Sequence, residues 1–275
     1  SLERVETEKD LKAAKENGYF VDFTKESWAK RFPFIPADKV FFYRGLPIGA
    51  LYYDAKHYIV LELPVYGNEV LTVNGEDFEQ TFKKSVESSM ELYKNKQWSR
   101  LLQRGFSEAS GGRLIPVILN ILHNEEPSGE LYSLFLNYYT SCDSGASFLK
   151  ENDIDKLLVC KTAAQKQKTS EAMKDLPDEI TVYRGVGSES TAAHKAVSWT
   201  LNINAAYFFG AWRCVDGVKV YKGTVKKENV IEYITDRNEA EILVKLGTVV
   251  IDNNATVYCT DWDFFIETVK SPYVM

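Results

Sequence analysis

The sequence predicts an α+β fold, because strand-rich segments lie at both ends of the 275-residue chain and a helical stretch lies between them. The end segments are rich in β-branched and aromatic residues and are bounded by turn residues such as Asn74-Gly75. From Asp77 the apolar residues instead recur every three or four positions, which is typical of one face of a helix. We therefore expect an N-terminal α+β unit at 1–75 and a larger domain at 76–275.

The N-terminal unit is expected to begin with helices. The first ends at Asn17-Gly18, where glycine favours the left-handed C-cap, and a short second helix follows Thr24 and stops before Pro33. Three strands come next, at 39–45, 57–66 and 69–75.

The larger domain divides into a helical part at 76–177 and a β-rich core at 178–275. Helices are predicted at 77–102, 113–123, 130–140 and 153–174. Strands are predicted at 179–185, 196–200, 217–225, 239–244, 248–252 and 255–269, with one helix at 202–212 among them.

Composition limits the classes of function. A net charge of −6 disfavours nucleic acid as a partner, since no overall basic field is present to hold a phosphate backbone. The apolar run at 113–122 is far shorter than a membrane span, and the charged start has no signal-peptide pattern. Four scattered cysteines and three scattered histidines predict no metal site and indicate a reducing compartment.

Three short motifs follow one another in the C-terminal block. They are Tyr183-Arg184-Gly185 at the end of one strand, Ser198-Trp199-Thr200 in a second, and Glu239-Ala240-Glu241 at the start of a third. In this order and spacing the sequence resembles the mono-ADP-ribosyltransferases of the arginine–serine–glutamate class, which include many bacterial toxins and effectors. The resemblance covers about 178–275, and it implies a β-sandwich core of two small sheets with a helical subdomain.

The resemblance implies that NAD is a substrate and that the enzyme is a glycosyltransferase of the pentosyl class. Breaking the bond between nicotinamide and ribose develops positive charge on the ribose, so an anion must lie beside it. The family pattern gives this role to Glu241. Ser198 is expected to donate a hydrogen bond that orients Glu241, with Thr200 assisting from the same strand.

The other members of the predicted site would bind NAD. Arg184 is expected to hold the pyrophosphate, because a guanidinium is permanently charged and bidentate toward phosphate oxygens. Gly185 would let the main chain approach the nicotinamide amide, and Tyr207 would form a wall of the nicotinamide pocket.

Two residues are expected on the acceptor side. Two residues before Glu241 in a predicted strand, Glu239 would lie on the same face, and an acid at this position of the family accompanies transfer to arginine. Tyr233 is placed in a loop before the catalytic strand, where it would meet the acceptor.

Several alternatives stay open at this point. Each motif alone also suits an ordinary strand end or solvated edge strand. Water as the acceptor would make the protein an NAD glycohydrolase, a nucleic-acid base would make it a different transferase, and a degenerate site would leave a binding module. In the leading hypothesis residues 1–75 recognise the target protein, and the chain acts in the cytoplasm or is delivered into a host cell as an effector or toxin.

Overall fold

The computed structural model describes residues 2–3, 32–43, 49–66, 69–70, 75–104, 114–141, 149–187, 190–212, 218–235 and 239–259. These residues hold eleven strands and seven α-helices, so the α+β class is confirmed. The chain divides into two compact units. The first comprises Ser1–Glu126 and Ser133–Gly145, and the second comprises Pro127–Tyr132 and Ala146–Met275.

The first unit contains an antiparallel sheet in the order β1-β2-β3-β4-β5. Its strands are β1 (Leu2–Glu3), β2 (Val40–Tyr43), β3 (Gly49–Asp54), β4 (Ile59–Tyr66) and β5 (Glu69–Val70). Its helices are α1 (Gly75–Lys94), α2 (Trp98–Gln103) and α3 (Ile115–Asn124), and most of α4 (Gly129–Thr140) belongs here as well.

The division of the chain differs from the boundary expected at residue 75. Phe78 and Phe82 of α1 are buried, and the ring of Phe82 makes an edge contact with Tyr52 of β3 at 5.1 Å between centroids. Because this apolar face of α1 packs on the first sheet, α1 belongs to the first unit. At the start of the chain, Leu2–Glu3 is a strand where a helix was expected. The remainder of both predicted N-terminal helices, apart from Phe32, lies outside the described residues.

The second unit contains the other sheet, which is antiparallel in the order β11-β8-β6-β7-β10-β9. Its strands are β6 (Glu179–Val186), β7 (Ser198–Thr200), β8 (Val218–Lys226), β9 (Val230–Ile234), β10 (Glu241–Val244) and β11 (Val250–Cys259). Its helices are α5 (Glu151–Cys160), α6 (Ala163–Ala172) and α7 (Ile203–Trp212).

This sheet has two three-stranded halves. The halves β11-β8-β6 and β7-β10-β9 are joined at a single register position, where Tyr183 lies opposite Thr200. The two small sheets expected from the sequence are therefore connected by hydrogen bonds into one sheet in this structure.

Apolar residues cover both faces of the second sheet. One face carries a buried cluster that includes Val182 of β6, Trp199 of β7 and Ile242 of β10. On the other face α7 packs against β6 and β8 through Ala206, Val218 and Val220. Side chains of β6 and β8 thus reach both apolar clusters, while Glu179, Thr181 and Lys219 of these two strands are exposed.

Several strands differ from the sequence prediction, and one of them, β3 (Gly49–Asp54) of the first sheet, was not predicted. Strand β10 begins at Glu241 and not at residue 239, and β9 was not predicted. The segments predicted at 248–252 and 255–269 form one strand as far as Cys259, and residues 260–269 lie outside the described part. Among the described helices, none is long and apolar enough to cross a membrane.

Candidate functional site

Ser198 and Glu241 meet on neighbouring strands of the second sheet. Thr200 lies opposite Glu241 in the register of β7 and β10, and Ser198 lies opposite Leu243, so Ser198 and Glu241 share one face. The hydroxyl of Ser198 donates a hydrogen bond to Oε1 of Glu241 at 2.7 Å, as the sequence predicted. Both residues are half-buried.

Arg184 lies where the two halves of the sheet separate. A regular continuation of the pairing between Tyr183 and Thr200 would place Gly185 opposite Ser198, but the strands pair at the first position alone. The guanidinium of Arg184 instead donates from Nη1 to the carbonyl oxygen of Ser198 at 2.7 Å. It also donates from Nη2 to the carbonyl oxygen of Thr191 at 3.2 Å. Arg184 therefore ties β6 to β7 at the separation, and its contact with a pyrophosphate stays a prediction.

Thr200 holds the turn that leads into Glu241. Its hydroxyl donates to the carbonyl oxygen of Glu239 and accepts a bond from the amide of Asn202 at 2.9 Å. The amide of Leu201 donates to the carbonyl oxygen of Ala240 at 3.0 Å. The start of β10 is thereby fixed on the end of β7.

The placement of Glu239 corrects one expectation. Ala240 has a φ of 46°, in the left-handed region that residues other than glycine rarely adopt. Glu239 consequently lies in a turn, so strand alternation does not place it on the face of Glu241. Only 6% of its surface is exposed.

Gly185 and Tyr207 belong to the contact between β6 and α7. A Cβ atom added to Gly185 would lie 1.7 Å from the carbonyl oxygen of Ala206 and 2.8 Å from the amide nitrogen of Gly210. The close approach that requires glycine here is the approach of a helix, whereas the sequence interpretation assigned it to nicotinamide. Tyr207 is half-buried against the apolar cluster under α7, and its contact with nicotinamide stays a prediction.

Tyr233 was expected in a loop, and this expectation is wrong. It lies in strand β9 opposite Ile242 of β10, while Ile234 lies opposite Glu241. Residues at paired positions project on the same face, so Tyr233 projects on the face opposite to that of Glu241. The strand was missed because it is short and irregular.

A buried polar cluster beside the site was not found from the sequence. Lys161, at the junction of α5 and α6, is 5% exposed and donates to Thr169, to the carbonyl oxygen of Ile231 and to Glu232. The hydroxyl of Tyr132 donates to Oε2 of Glu232 at 2.6 Å, and that of Thr169 donates to Oε1 at 2.7 Å. Glu232 thereby accepts bonds from three side chains of the helical part.

Burial dominates the ionisation of this cluster. It lowers the pKa of Lys161, and the attraction of Glu232 opposes that effect without cancelling it. Burial also raises the pKa of Tyr132, with a further contribution from its hydrogen bond to Glu232. The sequence predicted one helix at 153–174, whereas the structure has two helices with Lys161 between them, and no sequence pattern linked this lysine to a glutamate 71 positions away.

Among the described residues no group of three or more His, Cys, Asp or Glu side chains could hold a metal ion. Comparisons of the chain with family models, with curated proteins and with solved structures found no match. The arrangement of Arg184, Ser198 and Glu241 is therefore the main structural evidence on function.

Proposed function

We propose that the protein is an NAD-dependent mono-ADP-ribosyltransferase that modifies an arginine side chain of a target protein. In this reaction the bond between the anomeric carbon of ribose and the nicotinamide nitrogen breaks, and its electron pair leaves with nicotinamide. A nitrogen of the acceptor then bonds to the anomeric carbon and releases a proton.

The observation that carries the proposal is the hydrogen bond of 2.7 Å from Ser198 to Glu241 across two paired strands. The bond directs one oxygen of the carboxylate, and the strand holds its main chain. A carboxylate that is already oriented stabilises a cationic transition state without the cost of reorganisation at the moment of reaction.

Arg184 supports the proposal by its position. Its guanidinium bonds the carbonyl oxygen of Ser198, so the only cationic side chain among the three motifs lies beside the serine that orients Glu241. A dinucleotide that places its ribose at Glu241 would bring its phosphates toward a cation. Such a cation suits a pyrophosphate because guanidinium and phosphate geometries match.

The test replaces Glu241 by glutamine, which keeps the shape of the side chain and an oxygen that accepts the bond from Ser198. We expect the release of nicotinamide from NAD to fall about 10²–10³-fold or more, because one preorganised electrostatic contact is removed. Binding of NAD, measured by titration calorimetry, should change little, since the loss affects the transition state.

The matched control is Glu179→Gln, which removes an exposed carboxylate from the first position of β6 in the same sheet. It should release nicotinamide at the rate of the unchanged protein. Equal activity of Glu241→Gln and Glu179→Gln would overturn the assignment of Glu241.

Hydrolysis of NAD is the second candidate function, and the burial of Glu239 favours it. A carboxylate that receives the guanidinium of a target must be reached by that target, and the exposed fraction of Glu239 is 6%. If Glu239 stays covered during the reaction, water is the remaining acceptor and the protein is an NAD glycohydrolase.

The two candidates are separated by supplying agmatine, a small guanidino acceptor, with NAD labelled in its adenosine half. A transferase fixes label on agmatine, and Glu239→Gln should abolish this transfer while nicotinamide is still released. A hydrolase releases nicotinamide with no label on agmatine, and Glu239→Gln should then have no effect.

Further aspects of the proposal concern the cell. An acidic chain fits a protein target better than a nucleic acid. We propose that residues 1–75 help to select this target and that the protein acts as a bacterial effector or toxin. Label fixed to one protein of a host-cell lysate, and lost when residues 1–75 carry surface substitutions, would support this role.

A further inference from the structure

The edge strand β9 contains a bulge beside the candidate site. In its pairing with β10, Glu232 lies opposite Leu243, but the next pair joins Val230 to Val244. Ile231 is therefore the extra residue. A bulge leaves the main chain of its extra residue out of the regular ladder, so the carbonyl group of Ile231 needs another donor if it is buried.

Lys161 supplies that donor. Its Nζ lies 2.6 Å from the carbonyl oxygen of Ile231, and Ile231 itself is 3% exposed. The same ammonium group lies 3.2 Å from Oε2 of Glu232, the residue that follows the bulge. One buried side chain thus holds both the main chain of the bulge and the first side chain after it.

The rest of the cluster restricts Lys161 and Glu232 to this geometry. The ammonium group also bonds Thr169 of α6, and it lies 5.0 Å from the ring centre of Tyr132. Oε1 of Glu232 accepts a bond from the amide of Tyr233 at 3.1 Å. Contacts from α4, from α6 and from the junction before α6 therefore converge on one point of β9.

The bulge determines which residues of β9 lie beside Glu241. Glu241 is the first residue of β10 and is paired with Thr200 on one side and with Ile234 of β9 on the other. A slip of β9 by one residue would exchange the faces of Glu232 and Tyr233. It would also change the pairing partner of Glu241.

We propose that Lys161 is a positioning residue: by holding the bulge at Ile231 it fixes the register of β9 on β10 and thereby the position of Glu241. This inference rests on the proposed function, because it assigns Lys161 a part in NAD cleavage. Lys161 acts through the strands and does not touch the reacting atoms.

The first arm of the test does not depend on activity. In Lys161→Met the side chain keeps its length and loses its charge and its donors. Amide hydrogen exchange at 230–234 and 241–244 should accelerate at least about tenfold more than exchange at 179–186 in β6, which reports any loss of stability of the whole unit. Lys168→Met, which removes an exposed lysine of α6, is the matched control and should change neither segment.

The second arm measures nicotinamide release at a temperature at which both variants are folded. Lys161→Met should lower kcat about 10–100-fold, the range found when a residue that orients a reacting group is removed. Its KM for NAD should stay within about threefold of the original value, because the lost contacts do not involve NAD binding. Glu232→Gln disturbs the cluster less and should shift both measurements in the same direction by a smaller amount, which provides a test if Lys161→Met fails to fold.

The results of the two arms show separately whether the positioning role of Lys161 and the proposed cleavage of NAD hold. Faster exchange with a lower kcat supports the positioning role. An active protein whose kcat is unchanged in both variants overturns it, even if the melting temperature falls, because Lys161 is then structural only. If the unchanged protein releases no nicotinamide, the proposed function fails and the positioning role of Lys161 in NAD cleavage fails with it, whatever the exchange shows.

Discussion

Each unit of the protein contains a lysine paired with a carboxylate, and the pKa values of the two lysines are shifted in opposite directions. In the first unit Lys39 lies 2.9 Å from Asp54, and 34% of the lysine side chain is exposed. In the second unit Lys161 lies 3.2 Å from Glu232, and 3% of its side chain is exposed. The hydrogen bond to Asp54 raises the pKa of Lys39, whereas burial lowers the pKa of Lys161.

The difference shows what each pair does for its unit. Asp54 accepts bonds from the ring of His57 and the amide of Lys56 in the turn between β3 and β4, and from Lys39, which directly precedes β2. Because water still reaches Lys39, little desolvation energy is needed to form this pair. The contacts of Asp54 hold the end of β3 and the turn that follows it. The pair of Lys161 and Glu232 loses more hydration when it forms, and it joins segments far apart in sequence. Such a pair suits a role in fixing one position of β9 against the helices.

The largest effect on stability is expected for Lys161→Met. It leaves the half-buried Glu232 without its cationic partner, and removal of one member of a fully buried pair costs about 3–5 kcal/mol, which sets the upper bound here. The loss in free energy of unfolding of the second unit is measured in guanidinium chloride, with amide hydrogen exchange in α6 and β9 as the probe. The exposed Lys168→Met should change the free energy of unfolding by no more than about 0.5 kcal/mol, and an equal effect of the two variants would remove the contrast between the pairs.

The next effect is expected for Asp54→Asn in the first unit. The carboxylate charge is lost from a group that accepts three hydrogen bonds, and a hydrogen bond to a charged group contributes about 1.5–3 kcal/mol. The midpoint of unfolding of the first unit, followed by exchange in β3 and β4, should fall accordingly. Glu87→Gln, at an exposed position of α1, serves as the control and should leave that midpoint unchanged.

A smaller effect is expected for Lys39→Met. Because this lysine is partly solvated, its contribution should be about 1 kcal/mol or less, as for other ion pairs near the surface. The free energy of unfolding should be compared with that of Lys84→Met, an exposed lysine of α1. A loss as large as that of Lys161→Met would contradict the comparison.

The smallest effect is a difference in pH dependence. The raised pKa of Lys39 gives stability that is present below the ordinary lysine pKa and is lost as the pH rises through the folded value. The lowered pKa of Lys161 means that the unfolded state binds more protons near the ordinary pKa, so its contribution to stability increases with pH.

This difference is measured from free energies of unfolding between about pH 8 and about pH 11. At each pH the free energy of unfolding of the variant is subtracted from that of the unchanged protein. The difference for Lys39→Met should shrink with rising pH, and the difference for Lys161→Met should grow. If both free-energy differences change with pH in the same direction, burial does not control the charge of Lys161.

The sequence predicts the centre of the site better than its surroundings. Ser198 and Glu241 each stand in a short apolar strand, and a local pattern is enough to place them. Strand β9 was missed because its bulge at Ile231 interrupts the two-residue alternation. Glu239 was placed on the wrong kind of element because nothing in the sequence signals a left-handed alanine at 240. The ion pair of Lys161 with Glu232 depends on long-range packing, which local patterns do not contain.

The contact between Gly185 and Gly210 affects how mutational tolerance should be read at the site. A side chain at Gly210 would lie 2.6 Å from Val218 and 3.0 Å from the Cα atom of Gly185, so both positions are closed to larger residues for reasons of helix packing. A saturation library screened for activity would lose nearly every substitution at Gly185 through misfolding. Intolerance at this position therefore gives no information about NAD, whereas selection for folded protein alone would separate the two causes.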